Sequence, residues 1–451
     1  MNVIKRDGRE VLFDKQKIVV AVSSAFNKIE GSVSKEAYDI ANSIAEYIES
    51  LNKEFTVEEI QDIVEQKLGE TDKFDVISEY KTYREKRSRI RENKTALMKK
   101  VSEKLTAKNV ANQNANVDEK SFGGRIGEAS DVLLKQYALD NCMSEMAVYN
   151  HNNNIIYTHD LSSYAVGSHN CLSIPYDMIL AKGFNTRQTD VRPANSANTA
   201  LQLIAVLAQL QSLNQFGGVS ATHLDHTLVP YVRKSFLKHY IVSYIKDTDE
   251  FGNLNLMDLL FETYIDEVGV ERNRFEEWID ENKQLFFEKT GLKEEDFYLD
   301  NKDGLDTKHY QSALYDTIRE VQQGVEGLYH NLNTLQSRSG NQLPFTSINY
   351  GTCTLTEGRL IIKALLDGCI KGVGRLRKTS VFPCGIFQCM KGVNRKPGDK
   401  NYDLFRLALK STSKRIYPNY ANVDWSGNAG YDRNDPRTYF STMGKCKLQL
   451  M

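Results

Sequence analysis

From Val3 to Phe13 apolar and polar residues alternate, and the alternation is broken once, at Asp7-Gly8. A period of two is the pattern of a half-buried strand, and Asp-Gly favours a two-residue type I′ turn because both central positions want positive φ. The segment therefore predicts a β-hairpin. The period then changes. Val19, Val22, Phe26 and Ile29 recur at helical spacing behind Asp14, which is placed to cap the first turn. Ala37, Ile40, Ala41, Ile44, Ala45 and Ile48 line one face of a second helix. Thr56 and Glu59 form a capping-box pair for a third, with Phe55 set to staple onto Ile60 and Gly69 set to close the helix. A fourth starts near Phe74 and runs through YKTYREKRSRIRENK, whose basic end reads as a solvated exit.

Beyond residue 95 the pattern is less regular. Residues 96–120 are polar, with asparagines gathered near the end, and read as a linker. SFGGRIGEASDVLLKQYALDN is helical by spacing, IIYTHDL reads as a strand, and NTALQLIAVLAQLQSL as a buried helix running into Gly217-Gly218. There Gln215, Gly217 and Gly218 sit where backbone can approach a ligand. Residues 246–305 are acid-rich and read as a largely helical outer layer. DTIREVQQGVEGLYHNLNTLQSRSGNQLPFTSINYGT joins a long helix to a polar loop and a strand. That loop region, with Asn331, Asn333, Ser337 and Arg338, either cradles a polar ligand or satisfies backbone groups; composition weights the two equally.

Composition narrows the classes. With 41% hydrophobic and 26% charged residues over 451 positions, the chain is globular and long enough for several domains. A net charge of −1 argues against bulk binding of nucleic acid. The apolar run LIAVLAQL is too short to cross a bilayer and MNVIKRDGREVLFD lacks a signal-type core, so a cytoplasmic protein without membrane contact is expected. Seven unevenly spaced cysteines do not read as a disulfide framework, and no paired Cys-Xaa-Xaa-Cys elements are present, so no metal site is assigned.

The predicted hairpin and the turn after it carry five cations, Lys5, Arg6, Arg9, Lys15 and Lys17. Charge alone reads as a solvated surface. VIKRDGREVLFDKQKI, however, resembles the opening of the ATP-cone, a regulatory module of ribonucleotide reductases and of a repressor of their genes. The resemblance covers about residues 3 to 93, within a domain set at residues 1–95. It implies a hairpin lid on a helical bundle that binds ATP or dATP as allosteric effector through Lys5, Arg6, Asp7, Gly8 and Lys15. The cations would give charge-assisted bonds to phosphate, and Gly8 would permit the turn.

The rest resembles the anaerobic, class III ribonucleoside-triphosphate reductases. NNIIYTHDL, SHNC, QFGGVSATHLD, HNLNTLQSRSGNQLPFTSINYGT, VFPCGIFQCMKGVN, NYDLFRLALKSTSKRIYPNY and DPRTYFSTMG follow in that family's order. The resemblance implies an α/β fold, an incomplete barrel of the glycyl-radical-enzyme type over residues 121–444, and reduction of ribonucleoside triphosphates by radical chemistry. It makes Cys171 the second cysteine of the reaction, although alone Cys171 would read as a small buried hydrophobe. Met443 and Gly444 match the start of the family's thiyl loop. Lys445 then stands where the radical cysteine should be, with Cys446 one residue late, a displacement of up to about 3.8 Å. Residues 445–451 resemble nothing in the family. Family members use formate in the subgroup with this methionine, a glycyl radical and a zinc site, whose residues are not found here, and a radical-SAM iron–sulfur activase as partner. A homodimer is implied as well. The expectation is an interrupted reading frame, inactive alone unless a C-terminal fragment complements it. The alternative is a nucleotide-binding regulatory fragment without turnover.

Overall fold

The computed structural model describes residues 2–6, 8–106, 121–167, 171–215, 217–247, 261–269, 271–336, 342–425 and 431–442. The chain divides into two compact units, residues 1–103 and 104–451.

In the first unit β1 (Asn2–Ile4) pairs antiparallel with β2 (Glu10–Leu12), followed by α1 (Lys15–Glu30), α2 (Lys35–Ser50), β3 (Phe55–Thr56), α3 (Val57–Gly69) and α4 (Phe74–Thr106). β3 lies parallel to β1 on its other side. The caps are those the sequence announces. Asp14 accepts the N–H of Gln16, and Thr56 and Glu59 satisfy each other's backbone at the start of α3. Val22 and Phe26 of α1, Ala41 and Ile48 of α2, Val64 and Leu68 of α3, and Tyr80 of α4 form one apolar core beneath Val3 and Phe55. Two expectations need correcting. The hairpin does not close on two residues: Gly8 donates its N–H to the Lys5 carbonyl and Lys5 its N–H to the Arg9 carbonyl, with Gly8 at φ 81°. The linker expected to start at residue 96 begins as helix, because α4 continues without a break to Thr106.

The second unit opens with α5 (Phe122–Asn141), α6 (Glu145–Asn152) and α7 (Leu161–Tyr164). The strand expected at IIYTHDL is absent. Ile155, Ile156 and Tyr157 are 63%, 45% and 79% exposed, and Asn154 and Asp160 at φ 57° and 53° turn the chain at either end. Then come β4 (Leu172–Ser173), α8 (Tyr176–Lys182), the short pair β5 (Phe184–Asn185) and β6 (Asp190–Val191), α9 (Ala197–Leu213), β7 (Val219–Ala221), α10 (Leu224–Thr227) and α11 (Val229–Asp247). A small hairpin, β8 (Thr263–Ile265) with β9 (Glu271–Asn273), interrupts the helical layer expected there. It leads into α12 (Arg274–Thr290), α13 (Thr307–Thr334), β10 (Thr346–Tyr350), α14 (Thr356–Lys371), β11 (Cys384–Cys389), α15 (Tyr402–Arg415) and β12 (Asn419–Asn422).

β4, β7, β10, β11 and β12 form one sheet in chain order, every pair parallel. Strands adjacent in sequence and in space need crossovers of one hand, which puts their helices on one face. Val219, Ala221, Ile348, Tyr350 and Phe387 accordingly join residues of α9, α11, α13 and α14 in a single core. The fold is α/β, and the opposite, inner face of its sheet carries the candidate site.

Candidate functional site

Side chains alternate across a strand, so the register assigns the inner face. Ser173, Ser220 and Ser347 lie level with one another across β4, β7 and β10. Asn349 and then Gln388 follow further along β10 and β11, and Cys171 lies two residues before Ser173, at the start of β4. One face of the sheet is thus apolar, and the other carries serines, amides and the Cys171 thiol beside Ile386 and Ala421.

Cys171 is half-buried, and the N–H of Gly218 donates to its Sγ at 3.2 Å. That contact needs the Gly217-Gly218 turn. A Cβ on Gly218 would stand 2.9 Å from the Phe345 ring, so the close approach expected here is to the protein's own β10 approach segment. Gln215 is buried and braces the turn, donating to the Gly218 carbonyl at 2.8 Å. Asn333 lies on the helix side of the sheet. Its amide donates to the Phe382 carbonyl and accepts the N–H groups of Val381 and Phe382, so it holds the approach to β11. Asn331, one turn from the end of α13, accepts the Leu335 N–H through its carbonyl. Asp7, Ser337, Arg338 and Met443 fall outside the described residues.

Three further residues, not singled out by pattern, organise the inner face. Asp225, fully buried after β7, accepts the N–H groups of Gly351, Thr352 and Cys353 on one oxygen at 2.8–3.0 Å and so ties the end of β7 to the loop after β10. Burial, and after it the Asp225 charge, pushes the Cys353 thiol up to about 12, so Cys353 stays protonated. Asn349 donates to Ser220 Oγ, the Ala221 carbonyl and the Thr442 carbonyl, and accepts the Thr442 N–H. Gln388 donates to the carbonyls of Phe440 and Thr222. The signal for all three was a polar residue inside a strand or turn that otherwise reads as buried.

In the first unit Arg6 reaches α3, where it bonds Glu58 and Gln61, while Lys15 pairs with Glu46 of α2. Glu58 also faces Arg84 of α4, which binds Asp62 and Glu65 as well. The Arg6 hydrogen bond, with Arg84 behind it, holds the Glu58 carboxyl below its usual range against the opposing effect of burial. Two of the expected phosphate-binding cations are therefore already occupied by carboxylates of different helices.

Residues 113–451 match the family model described as anaerobic ribonucleoside-triphosphate reductase, and residues 1–89 that described as ATP cone domain. The chain belongs to the anaerobic ribonucleoside-triphosphate reductase family. Within that family, the anaerobic ribonucleoside-triphosphate reductases of Haemophilus influenzae and Escherichia coli are 29% and 28% identical to it over 94% of its length, and it covers 52% and 51% of theirs. The chain thus spans about half the length of these curated relatives. A crystal structure of the anaerobic ribonucleotide reductase from Thermotoga maritima in complex with dATP and CTP shares 14% identity at a TM-score of 0.42, covering 68% of this chain and 44% of that one. In this reductase-family chain, no three His, Cys, Asp or Glu side chains converge as a metal would require among the described residues, and no helix there is long and apolar enough to cross a membrane.

Proposed function

We propose that this chain is the nucleotide-controlled part of a ribonucleoside-triphosphate reductase. In this reading the inner face around Cys171 receives the ribose of a ribonucleoside triphosphate, and the first unit binds ATP or dATP as effector. One observation carries it. In a chain that matches the reductase family along both units, the matching cysteine stands on the polar face of the sheet, beside a glycine turn that brings backbone to its sulfur.

Replacing the ribose 2′-hydroxyl by hydrogen requires a thiol held against the sugar, because radical transfer fails quickly with misplacement. The role assigned to Cys171 is to supply reducing hydrogen there, while Gly218 fixes its orientation. A glycyl radical would supply the oxidising equivalent that opens such a reaction. Formate as reductant, an iron–sulfur activase, a homodimer, a complementing C-terminal fragment and a cytoplasmic setting belong to the same proposal, on the strength of the resemblance alone. The described residues do not fit zinc, and no step is assigned to it.

Calorimetry on the full chain tests the effector half. ATP and dATP are expected to bind, and Arg6→Ala to weaken binding about tenfold, the loss of one charge-assisted bond to phosphate. No heat and no thermal shift with either nucleotide would refute the assignment.

A further inference from the structure

We propose that Asn349 and Gln388 are positioning residues: an amide clamp that seats residues 440–442 on the inner face and fixes the point from which the chain continues past Thr442. This rests on the reading that the inner face is the reaction surface.

Both side chains are fully buried in the middle of a parallel sheet, where an amide persists only if its polar atoms are matched. Ser220 and the Ala221 and Thr222 carbonyls take part of their donor capacity, and main chain of residues 440–442 takes the rest. Asn349 makes two bonds to one residue, to the Thr442 carbonyl at 3.1 Å and from the Thr442 N–H at 3.2 Å, the reciprocal pair one strand makes with another. Gln388 bonds the Phe440 carbonyl at 3.0 Å. The spacings agree. Asn349 lies level with Ile386, two residues before Gln388, and Phe440 is two residues before Thr442. Two extended residues span about 6.6 Å in either case, so residues 440–442 lie extended along the sheet.

The order of contacts also fixes direction. The segment meets Gln388 first and Asn349 second, so it runs against the strands, from their C-terminal ends toward the serine row and the level of Cys171. By register Cys171 lies four residues further down and two strands across from Asn349, about 13 Å along and about 10 Å sideways. Upstream, Tyr439 anchors the segment among Met390, Val393 and Val423, and Phe440 stacks obliquely on Trp425 at 5.8 Å between centroids. Gln388 Oε1 is buried and has no partner among the described residues, so the clamp keeps one acceptor turned to this face.

Because both amides read backbone, the clamp specifies place, not sequence. Trp425 is one of the chain's two tryptophans, so Trp278→Phe leaves a single reporter beside the clamped segment. In that background Asn349→Ala, Gln388→Ala and Thr442→Pro, the last removing the N–H that Asn349 accepts and also fixing the backbone there, are each expected to raise quenching of Trp425. Each should also speed hydrogen exchange of the 440–442 peptide about tenfold, the loss of one to two net hydrogen bonds. Asn401→Ala is the control. Asn401 is an equally buried amide that bonds the Gly351 and Cys353 carbonyls but neither Gln388 nor the clamped segment, so it should leave Trp425 unmoved. Unchanged quenching and exchange in folded Asn349→Ala and Thr442→Pro chains overturns the proposal, as does an Asn401→Ala effect equal to that of Asn349→Ala. These readouts follow the segment alone, so they fail independently of nucleotide binding and of any role for Cys171.

Discussion

Removing the Asp225 carboxylate is the sharpest test of how the inner face is held together. In Asp225→Ala three N–H groups, those of Gly351, Thr352 and Cys353, lose a common acceptor that is fully buried. A hydrogen bond to a charged group contributes about 1.5–3 kcal/mol, but three sharing one oxygen do not add fully. Removing the carboxylate also relieves the desolvation of a buried charge whose second oxygen has no partner among the described residues. The expected net loss is about 3–5 kcal/mol, a large share of a domain's usual stability. Asp225→Asn keeps an oxygen in place without the charge and should cost about 1–2 kcal/mol. Urea unfolding read by circular dichroism measures both. With a slope of about 3 kcal/mol per molar, the midpoint should fall by about 1–1.5 M for Ala and less than half that for Asn. An Asp225→Ala chain within about 0.5 kcal/mol of the parent, or an Asn variant as damaged as Ala, would refute the reasoning.

Three further outcomes follow from the same geometry. If phosphate must compete with Glu58 for Arg6, Glu58→Gln should tighten ATP binding about two- to fivefold, the range of an exposed ion pair; unchanged or weaker binding in calorimetry would place the phosphate elsewhere. Glu320 would be raised by burial alone, yet hydrogen bonds from His239, the Asn198 N–H and Ser235 bring it from 4.5 to about 2. A depressed carboxyl stabilises the fold fully above its ordinary value and loses that contribution as pH falls through the folded one. Urea midpoints should therefore drop between about pH 4.5 and pH 2 in the parent and much less in Glu320→Gln, and equal slopes for the two would contradict this. Asn333→Ala should lower stability by about 1–3 kcal/mol, by leaving the Val381 and Phe382 N–H groups without an acceptor, while leaving nucleotide affinity unchanged; an affinity loss in calorimetry would put Asn333 in the ligand site.

What the sequence made legible was local. Caps, the hairpin's alternation and the apolar faces of α1 to α3 depend on residues within a few positions of one another, and they stand where the pattern put them. Two kinds of signal failed. IIYTHDL has strand composition, but no strand among the described residues pairs with it, and left-handed residues at 154 and 160 bend it away. The hairpin at Asp7-Gly8 does not close on two residues, and Gly8 satisfies positive φ in the longer turn equally well. Polar side chains near glycines serve ligands and backbone alike, and the hydrogen bonds that Asn333 and Gln215 make here are to backbone. Cys171 came from family resemblance alone, since a lone cysteine carries no periodic signal. Asn349 and Gln388 were passed over because a strand buried on both faces does not alternate, and Asp225 because the four-residue α10 is too short to show a period. Their partners lie from 52 to 166 residues away, at separations that a local pattern cannot register.

The central claim is that the inner face around Cys171 receives the nucleotide, and the alkylation rate of this thiol tests it most directly. Iodoacetamide labelling of the full chain, quantified at the Cys171 peptide with and without a saturating ribonucleoside triphosphate such as CTP, should slow about tenfold or more with the nucleotide bound, as a covered thiol requires. The exposed Cys142 should label at the same rate in both. If CTP binds by calorimetry while Cys171 labels at an unchanged rate, the nucleotide sits elsewhere and the account is contradicted.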